Sequence, residues 1–182
     1  MDTPALPRPL PNSYWATPLL LASEYPGAPT VPAAIPKLDA LLAAGIRDFY
    51  DLTEPHELVP YEALLRERAT HAGLAPDSIR YHRLPVRDLD LPSAERLAEA
   101  LALLAESAAA GRPAVVHCWG GIGRTGTMVG CHLVQQHRLS GAEALAYIAR
   151  EWQTVAKRNR APRSPETEAQ IAFVRNYPPA GQ

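Results

Sequence analysis

Apolar positions along the chain alternate between the spacing of a helix and that of a strand. Leu38, Leu41 and Leu42 recur at helical intervals until Gly45, and the pattern over residues 46–52 then predicts a strand. The same patterns predict a helix over 58–71, a strand over 79–84, a long helix after Ser93, a strand over 114–116, and helices over about 124–137, 141–156 and 165–176.

Residues with known preferences for helix ends support two of these helices. Ser93 is a favourable N-cap for an Ala- and Leu-rich helix that ends at Gly111. Ser164 is predicted to be the N-cap of the last helix, with Pro165 at its first position and Glu166 in its first turn.

Strands that alternate with helices predict an α/β fold. At 182 residues the chain suits a single domain, with a central, mostly parallel sheet flanked by helices. In such folds, ligands bind beyond the carboxyl ends of the strands. The segment after strand 114–116 is therefore a candidate ligand-binding segment.

The first 33 residues differ in composition from the rest. Prolines crowd residues 4–32, which predicts an extended N-terminal arm over 1–33, packed on or flanking the domain, with a flexible tail as the alternative. Leu19 to Ala22 is a short apolar run that fits a first strand. The domain itself is predicted over 34–177, followed by a C-terminal tail over 178–182.

Overall charge and composition exclude several classes of partner. The net charge is −1 and the pI about 6.6, so we expect no binding to nucleic acid or to an anionic membrane. The sequence has no apolar run of eighteen residues and no signal-peptide pattern at Met1, which predicts a cytoplasmic protein. Cys118 and Cys131 are too far apart on the predicted helix for a disulfide and lack zinc spacing. We expect no metal and no cofactor.

A glycine-rich segment directly after strand 114–116 has the composition of an anion site. Gly120, Gly121 and Gly123 allow several backbone N–H groups to point at one spot, next to the N-terminus of the following helix. Arg124 adds a planar fork that can bind two oxygens of a phosphoryl group. The segment is predicted to bind phosphate, sulfate, vanadate or tungstate.

Cys118 lies at the start of this segment, where the same positive field favours a thiolate nucleophile. His117 is expected to support the loop through hydrogen bonds. Thr125 places a hydroxyl near the sulfur, where it could stabilise the departing thiolate; a cap at the helix start is the alternative.

His117, Cys118, Arg124 and Thr125, with five residues between the Cys and the Arg, resemble the signature of the cysteine-dependent tyrosine and dual-specificity phosphatases. The small size of the chain resembles the compact, dual-specificity-like members. The resemblance implies a phosphocysteine intermediate. It also implies a phosphate-binding loop made of Trp119, Gly120, Gly121, Ile122, Gly123 and Arg124.

The resemblance further implies a general acid on a second loop, about thirty residues before the Cys and four before a Pro. Asp88, four residues before Pro92, fits this position, and Asp90 is the alternative. The larger relatives carry Trp-Pro before the Asp, where this chain has Val86 and Arg87.

Several other residues allow two interpretations. Trp119 either lines the mouth of the site or packs into the core. Gln170 resembles the family's water-positioning glutamine, but a polar position on the last helix explains it more simply. Cys131 is expected to be a small buried apolar residue. The basic residues Lys157, Arg158, Arg160 and Arg163 could attract an acidic phosphorylated substrate, but a solvated loop is the favoured interpretation.

The leading functional hypothesis is a phosphatase, expected to be monomeric, that acts on phosphotyrosine in a protein or peptide, with activity on phosphoserine or phosphothreonine left open. A second hypothesis is the same chemistry on a non-protein ester, such as an inositol phosphate, a nucleotide or a sugar phosphate. Sulfur transfer on a rhodanese-like loop and a catalytically silent phosphate-binding module are the remaining alternatives.

Overall fold

The computed structural model describes residues 6–179, which form a five-stranded sheet with helices on both faces. The strands are β1 (Ser13–Thr17), β2 (Leu20–Ser23), β3 (Asp48–Asp51), β4 (Arg80–Arg83) and β5 (Ala114–His117). The helices are α1 (Val31–Ala43), α2 (Glu62–His71), α3 (Ala94–Ala109), α4 (Gly123–His137), α5 (Gly141–Trp152) and α6 (Glu168–Arg175). Short 3₁₀ turns cover Pro76–Ser78 and Ala156–Asn159.

The strand order places β5 at the centre of the sheet. The order is β1-β2-β5-β3-β4, in which β1 and β2 pair antiparallel and the other neighbours pair parallel. This confirms the predicted mostly parallel sheet. His117, at the end of β5, pairs in register with Ser23 on one side and Asp51 on the other. The carboxyl ends of three parallel strands therefore meet where the glycine-rich segment begins.

The sheet separates two hydrophobic cores. Along β5, the side chain of Val116 packs in the core with Met128 of α4, while Val115 packs on the opposite face with Leu41 of α1. This alternation is what a strand with both faces covered requires. Since β5 is anchored on both faces, it provides a rigid base for the loop that follows it.

The structure differs from the prediction for the N-terminal arm. Within residues 1–33, β1 and β2 belong to the central sheet, and α1 begins at Val31, before the predicted boundary at 33/34. Pro11 and Pro18 lie just outside the strands, and Pro32 lies in the first turn of α1, where a missing N–H costs no hydrogen bond. Proline density in this segment therefore does not prevent regular structure, and the short strand predicted near Leu19–Ala22 is present as β2.

The helix ends agree with the sequence at one site and differ at another. Ser93 caps α3 as predicted, since its side chain accepts a hydrogen bond from the Arg96 N–H. The last helix starts later than predicted, because Thr167 rather than Ser164 is its N-cap. The Ser164 hydroxyl instead donates to the carbonyl of Ile122 in the glycine-rich segment. None of the helices within residues 6–179 is long and apolar enough to cross a bilayer.

Candidate active site

A pocket of about 190 Å³ opens at the carboxyl end of β5. Cys118 lies at its base and is 3% exposed, and the chain turns from there into α4 at Gly123. The loop that carries Asp88 forms the facing wall. The pocket is lined by Asp88, Leu89, Cys118, Trp119, Gly120, Ile122, Gly123 and Glu166. The structure thus brings together the predicted cysteine, most of the predicted loop and the predicted acid.

Gly121 fits the glycine-rich loop against the end of β2. Its φ is +70°, and a Cβ on it would lie 2.6 Å from the backbone of Ser23 and Glu24. Beside it, the Tyr25 N–H donates to the carbonyl of Trp119 at 2.9 Å. Both the left-handed backbone and the close approach require glycine at this position.

We expect Gly121→Ala to lower the free energy of unfolding by about 2–4 kcal/mol, because backbone strain adds to a clash with the β2 backbone. Gly111→Ala is the matched control: Gly111 has φ +63°, and nothing lies within 4 Å of a Cβ there. That variant should lose only about 1 kcal/mol from strain alone. Urea unfolding of both variants measures the difference. Equal losses would show that the contact with β2 does not constrain the loop.

Lys157 holds the loop from another side. Its Nζ donates to the carbonyl of Gly120 and to Glu24 Oε2, each at 2.8 Å. The interpretation of the basic stretch as a solvated loop is therefore wrong for Lys157, although Arg158 and Arg160 are exposed. Sequence alone could not show this contact, because the three residues lie in separate segments.

Arg124 is buried beside the pocket and held by two carboxylates. Its Nη1 and Nη2 bind Glu57 Oε2 and Oε1 at 2.9 and 2.7 Å, and Nη2 also lies 3.0 Å from Asp88 Oδ1. Nη1 additionally donates to the Val86 carbonyl at 3.0 Å. Hydrogen bonds from Arg124 hold the pKa of Glu57 below its ordinary value. The guanidinium is thus fixed in orientation before any ligand binds.

The Nε group of Arg124 has a different environment. It is buried and has no hydrogen-bond partner within residues 6–179. A buried donor without a partner is costly, which makes an oxygen-rich ligand a favourable addition. Burial acts to lower the pKa of Arg124, but hydrogen bonds to Glu57 and nearby acidic groups reverse this and raise it, so the group stays charged.

The two candidate acids are placed differently. Asp88 lines the pocket, and its side chain is 53% exposed. Asp90 accepts a hydrogen bond from the Leu91 N–H at 2.8 Å with its own carboxylate and is not among the lining residues described above. The geometry favours Asp88 as the acid that can reach a ligand.

A hydrogen-bonded group of buried side chains lies behind the loop. His117 Nε2 pairs with the Tyr61 hydroxyl at 2.7 Å, and Nδ1 lies 4.0 Å from Asp51 Oδ1. Burial lowers the pKa of His117 below its ordinary value, although the nearby Asp51 carboxylate acts to raise it. Burial acts to raise the pKa of Asp51, but the interaction with His117 and hydrogen bonds from Thr53 and Tyr81 hold it below its ordinary value. These contacts fix the side chain that precedes Cys118.

The structure also locates Trp119, Thr125 and Cys131, which the sequence analysis singled out. Trp119 is 60% exposed at the pocket mouth, so packing into the core was the wrong alternative. The Thr125 hydroxyl is buried without a hydrogen-bond partner in the described part of the chain. Cys131 is a free, fully buried thiol in the core, as expected, and burial raises its pKa to about 12.

Gln170 is a polar residue at the start of the last helix, as the simpler interpretation expected, and it also contacts the segments that form the site. It is fully buried, its Nε2 donates to the Asp90 carbonyl at 3.2 Å, and its Oε1 accepts from the Thr167 N–H at 3.1 Å. It also packs against Gly123, where a Cβ would lie 2.7 Å from its Oε1. Gln170 thus connects the loop of the candidate acids with the start of α4. The capping-box spacing from Thr167 was the available signal.

The sequence analysis did not predict that Glu57 and Glu166 belong to the site. Glu57 binds Arg124, and Glu166 lines the pocket. Both lie in irregular segments rich in charged residues, so their spacing carries no signal. Only the folded chain places them at the site.

Comparisons with known proteins identify a matching family and two relatives that match in part. The family model described as "PTP-SAK: Swiss Army Knife protein, DSP-PTPase phosphatase domain" matches residues 28–174. A protein tyrosine phosphatase domain-containing protein 1 from Mus musculus is 24% identical over 91% of this chain and 21% of its own length. The phosphatidylglycerophosphate phosphatase PTPMT1 from Arabidopsis thaliana is 29% identical over 67% of this chain and 33% of its own length. The chain thus spans a third or less of these two relatives.

A solved structure confirms the fold. Tk-PTP in its active form superposes with a TM-score of 0.71 at 24% identity, covering 92% of this chain and 96% of Tk-PTP. At that identity the likeness shows the fold alone. The family match extends over most of the chain, and it includes both the Asp88 loop and the segment from Cys118 to Arg124. The chain therefore belongs to the dual-specificity-like phosphatases of the DSP-PTPase family.

Proposed function

We propose that the protein hydrolyses phosphate monoesters through a phosphocysteine at Cys118. The thiolate attacks phosphorus, the bond to the leaving oxygen breaks, and Asp88 gives that oxygen its proton. Water then attacks the phosphocysteine, its proton passes to Asp88, and inorganic phosphate and the thiolate are released. Arg124 and the loop N–H groups stabilise the charge on the transferred oxygens.

The contact between Asp88 and Arg124 suits this cycle. Asp88 Oδ1 lies 3.0 Å from Arg124 Nη2, which is a donor that a phosphoryl oxygen can take over. Substrate binding would release the Asp88 side chain from the guanidinium, and its carboxyl group, once protonated from solvent, can then give that proton to the leaving oxygen. The exposed position of Asp88 allows that small movement.

We further propose that the substrate is phosphotyrosine in a protein or peptide. The lining of the pocket carries this proposal: Leu89, Trp119 and Ile122 are apolar, and Asp88 and Glu166 are its only charged lining residues within residues 6–179. Apolar walls suit an aromatic ring, while rim carboxylates repel a substrate with several phosphates. The same argument disfavours inositol polyphosphates. A cytoplasmic location and a monomeric state stay predictions.

The roles of the two aspartates can be separated by substitution. Asp88→Asn should lower kcat on a phosphotyrosine peptide by about 10²-fold, because the leaving oxygen loses its proton donor. An aryl phosphate with a strongly acidic leaving group should lose much less. Asp90→Asn is the matched control and should keep most of the activity. Were Asp90→Asn to show the larger loss, the donor would be Asp90 instead.

The substrate class needs a direct comparison of rates. We expect kcat/KM for phosphotyrosine peptides to exceed that for inositol phosphates, nucleotides, sugar phosphates and phosphatidylglycerophosphate. The last compound represents the second candidate, which the 29% identity to a phosphatidylglycerophosphate phosphatase favours. If any of these compounds gave a higher kcat/KM than the phosphotyrosine peptides, that compound would become the proposed substrate. The proposed chemistry at Cys118 would be unaffected.

A further inference from the structure

A second pocket of about 400 Å³ lies next to the candidate active site. Trp119 and Gly120 line both pockets, so a substrate held at Cys118 can extend past Trp119 into the second one. We call it the lysine pocket. It is lined by Glu24, Tyr25, Gly27, Ala28, Pro29, Lys37, Leu58, Val59, Trp119, Gly120 and Lys157.

Both lysines of the chain lie in this pocket. The sequence contains 18 lysines and arginines together, and only Lys37 and Lys157 are lysines. They come from α1 and from the 3₁₀ turn at Ala156–Asn159, two segments far apart in the sequence. A chain that otherwise uses arginine thus places its two compact, strongly hydrated ammonium groups in one cavity beside the reaction site.

The two ammonium groups are joined through one carboxylate. Glu24 Oε2 accepts from Lys157 Nζ at 2.8 Å, and Glu24 Oε1 lies 3.8 Å from Lys37 Nζ. Lys157 also donates to the Gly120 carbonyl, so among residues 6–179 one of its three N–H groups is left for a ligand. Lys37 also donates to the carbonyls of Tyr25 and Gly27. The group carries one net positive charge.

That charge indicates the class of ligand. One further carboxylate neutralises the group, whereas a phosphate dianion would leave it with an excess negative charge in a partly buried site. The walls suit an aliphatic stem, because Val59 is 53% exposed and lies with Leu58 on the pocket surface. A carboxylate on a short apolar stem is the side chain of Glu or Asp.

We propose that the lysine pocket binds the carboxylate of an acidic residue that flanks the phosphotyrosine of a peptide substrate. The proposal rests on the proposed function and specifies its substrate class. Lys37 and Lys157 then act as specificity determinants and Trp119 as the surface between the two subsites. Recognition of a flanking carboxylate affects kcat/KM for peptides and leaves a small aryl phosphate unaffected.

The first test uses phosphotyrosine peptides in which Glu or its neutral counterpart Gln occupies each flanking position in turn. At one position or more, Glu should raise kcat/KM by about five- to tenfold. Lys37→Gln should abolish that gain while keeping the wild-type rate on p-nitrophenyl phosphate. Lys37→Glu should reverse the preference, so that a peptide with Lys at that position is cleaved faster than the one with Glu.

Arg150→Gln is the matched control for charge, because it removes one cation from an exposed position on α5 that does not line the pocket. It should keep the preference for Glu. If Arg150→Gln lost the preference for Glu to the same extent as Lys37→Gln, the preference would come from the net charge of the protein, and the proposal would be overturned. Equal rates on Glu and Gln peptides at every position, or a preference that survives in Lys37→Gln, would also overturn it.

Two outcomes separate this proposal from the proposed function. If wild-type protein cleaves p-nitrophenyl phosphate but no phosphotyrosine peptide, the protein substrate fails and the peptide subsite fails with it. If phosphotyrosine peptides are cleaved without any effect of flanking charge, only the subsite fails. A stronger preference for a second phosphorylated residue than for Glu would overturn the carboxylate assignment.

A binding measurement tests the contact directly. With lysine labelled at its ε-carbon, the protein should give two NMR signals, one for each lysine. Adding the preferred Glu peptide to the Cys118→Ser protein should shift both signals, and the Gln peptide should shift them much less. Bound Glu peptide with unmoved lysine signals would contradict the proposal.

Discussion

Replacing Cys118 with serine is expected to lower kcat on an aryl phosphate by on the order of 10⁴-fold or more. The serine hydroxyl has nearly the same size but stays protonated at neutral pH, so the attack on phosphorus is lost. The loop N–H groups and Arg124 remain, and the variant should still bind tungstate. Steady-state kinetics measure the first effect, and the rise in Tm with added tungstate measures the second.

Cys131 provides the control within the same chain. It lies on α4 with its side chain fully buried in the core, and burial raises its pKa to about 12, so it stays a thiol at neutral pH. Cys131→Ala should keep kcat close to wild type while losing about 1 kcal/mol of unfolding free energy. If Cys131→Ala lost turnover and Cys118→Ser kept it, the nucleophile would be Cys131, and the assignment to Cys118 would be wrong.

Arg124→Lys is expected to lower kcat/KM by on the order of 10³-fold. The substitution keeps the charge but removes Nε and the fork, and with them the two-point grip on the phosphoryl oxygens. Unlike Cys118→Ser, this variant should also lose tungstate binding. Steady-state kinetics and the shift in Tm with tungstate distinguish the two cases.

Glu57→Gln separates charge from orientation at the same arginine. Glu57 binds both Nη atoms, so the amide keeps one acceptor and leaves the guanidinium charged but less firmly held. We expect a loss of about tenfold in kcat/KM, well below that of Arg124→Lys. Equal activity of Arg124→Lys and wild type would show that the fork does not contact the substrate.

The loop from Cys118 to Thr125 could be predicted because its chemistry is local. Contiguous glycines, a cysteine and an arginine determine where backbone donors and side chains lie, whatever surrounds them. The placement of Asp88 needed the resemblance as well as the spacing to Pro92. The fold class followed from alternating strands and helices.

The partners of the loop could not be predicted, because they come from distant segments. Glu57, Lys157 and Gln170 reach the loop only through the packing of the sheet and the helices. Proline content misled the prediction for the N-terminal arm for a related reason. Composition records how many prolines are present, but strand formation depends on whether each one falls inside a strand or, like Pro11 and Pro18, just beyond its end.

The covalent intermediate tests the central claim most directly. Asp88→Asn protein, in which water attack is slowed, is mixed rapidly with an aryl phosphate that has a strongly acidic leaving group and is quenched in denaturant. Mass spectrometry of the digested protein should then find one phosphoryl group on Cys118. A phosphoryl group on a histidine, a carboxylate or Cys131, or turnover with no phosphorylated residue at any quench time, would contradict the account.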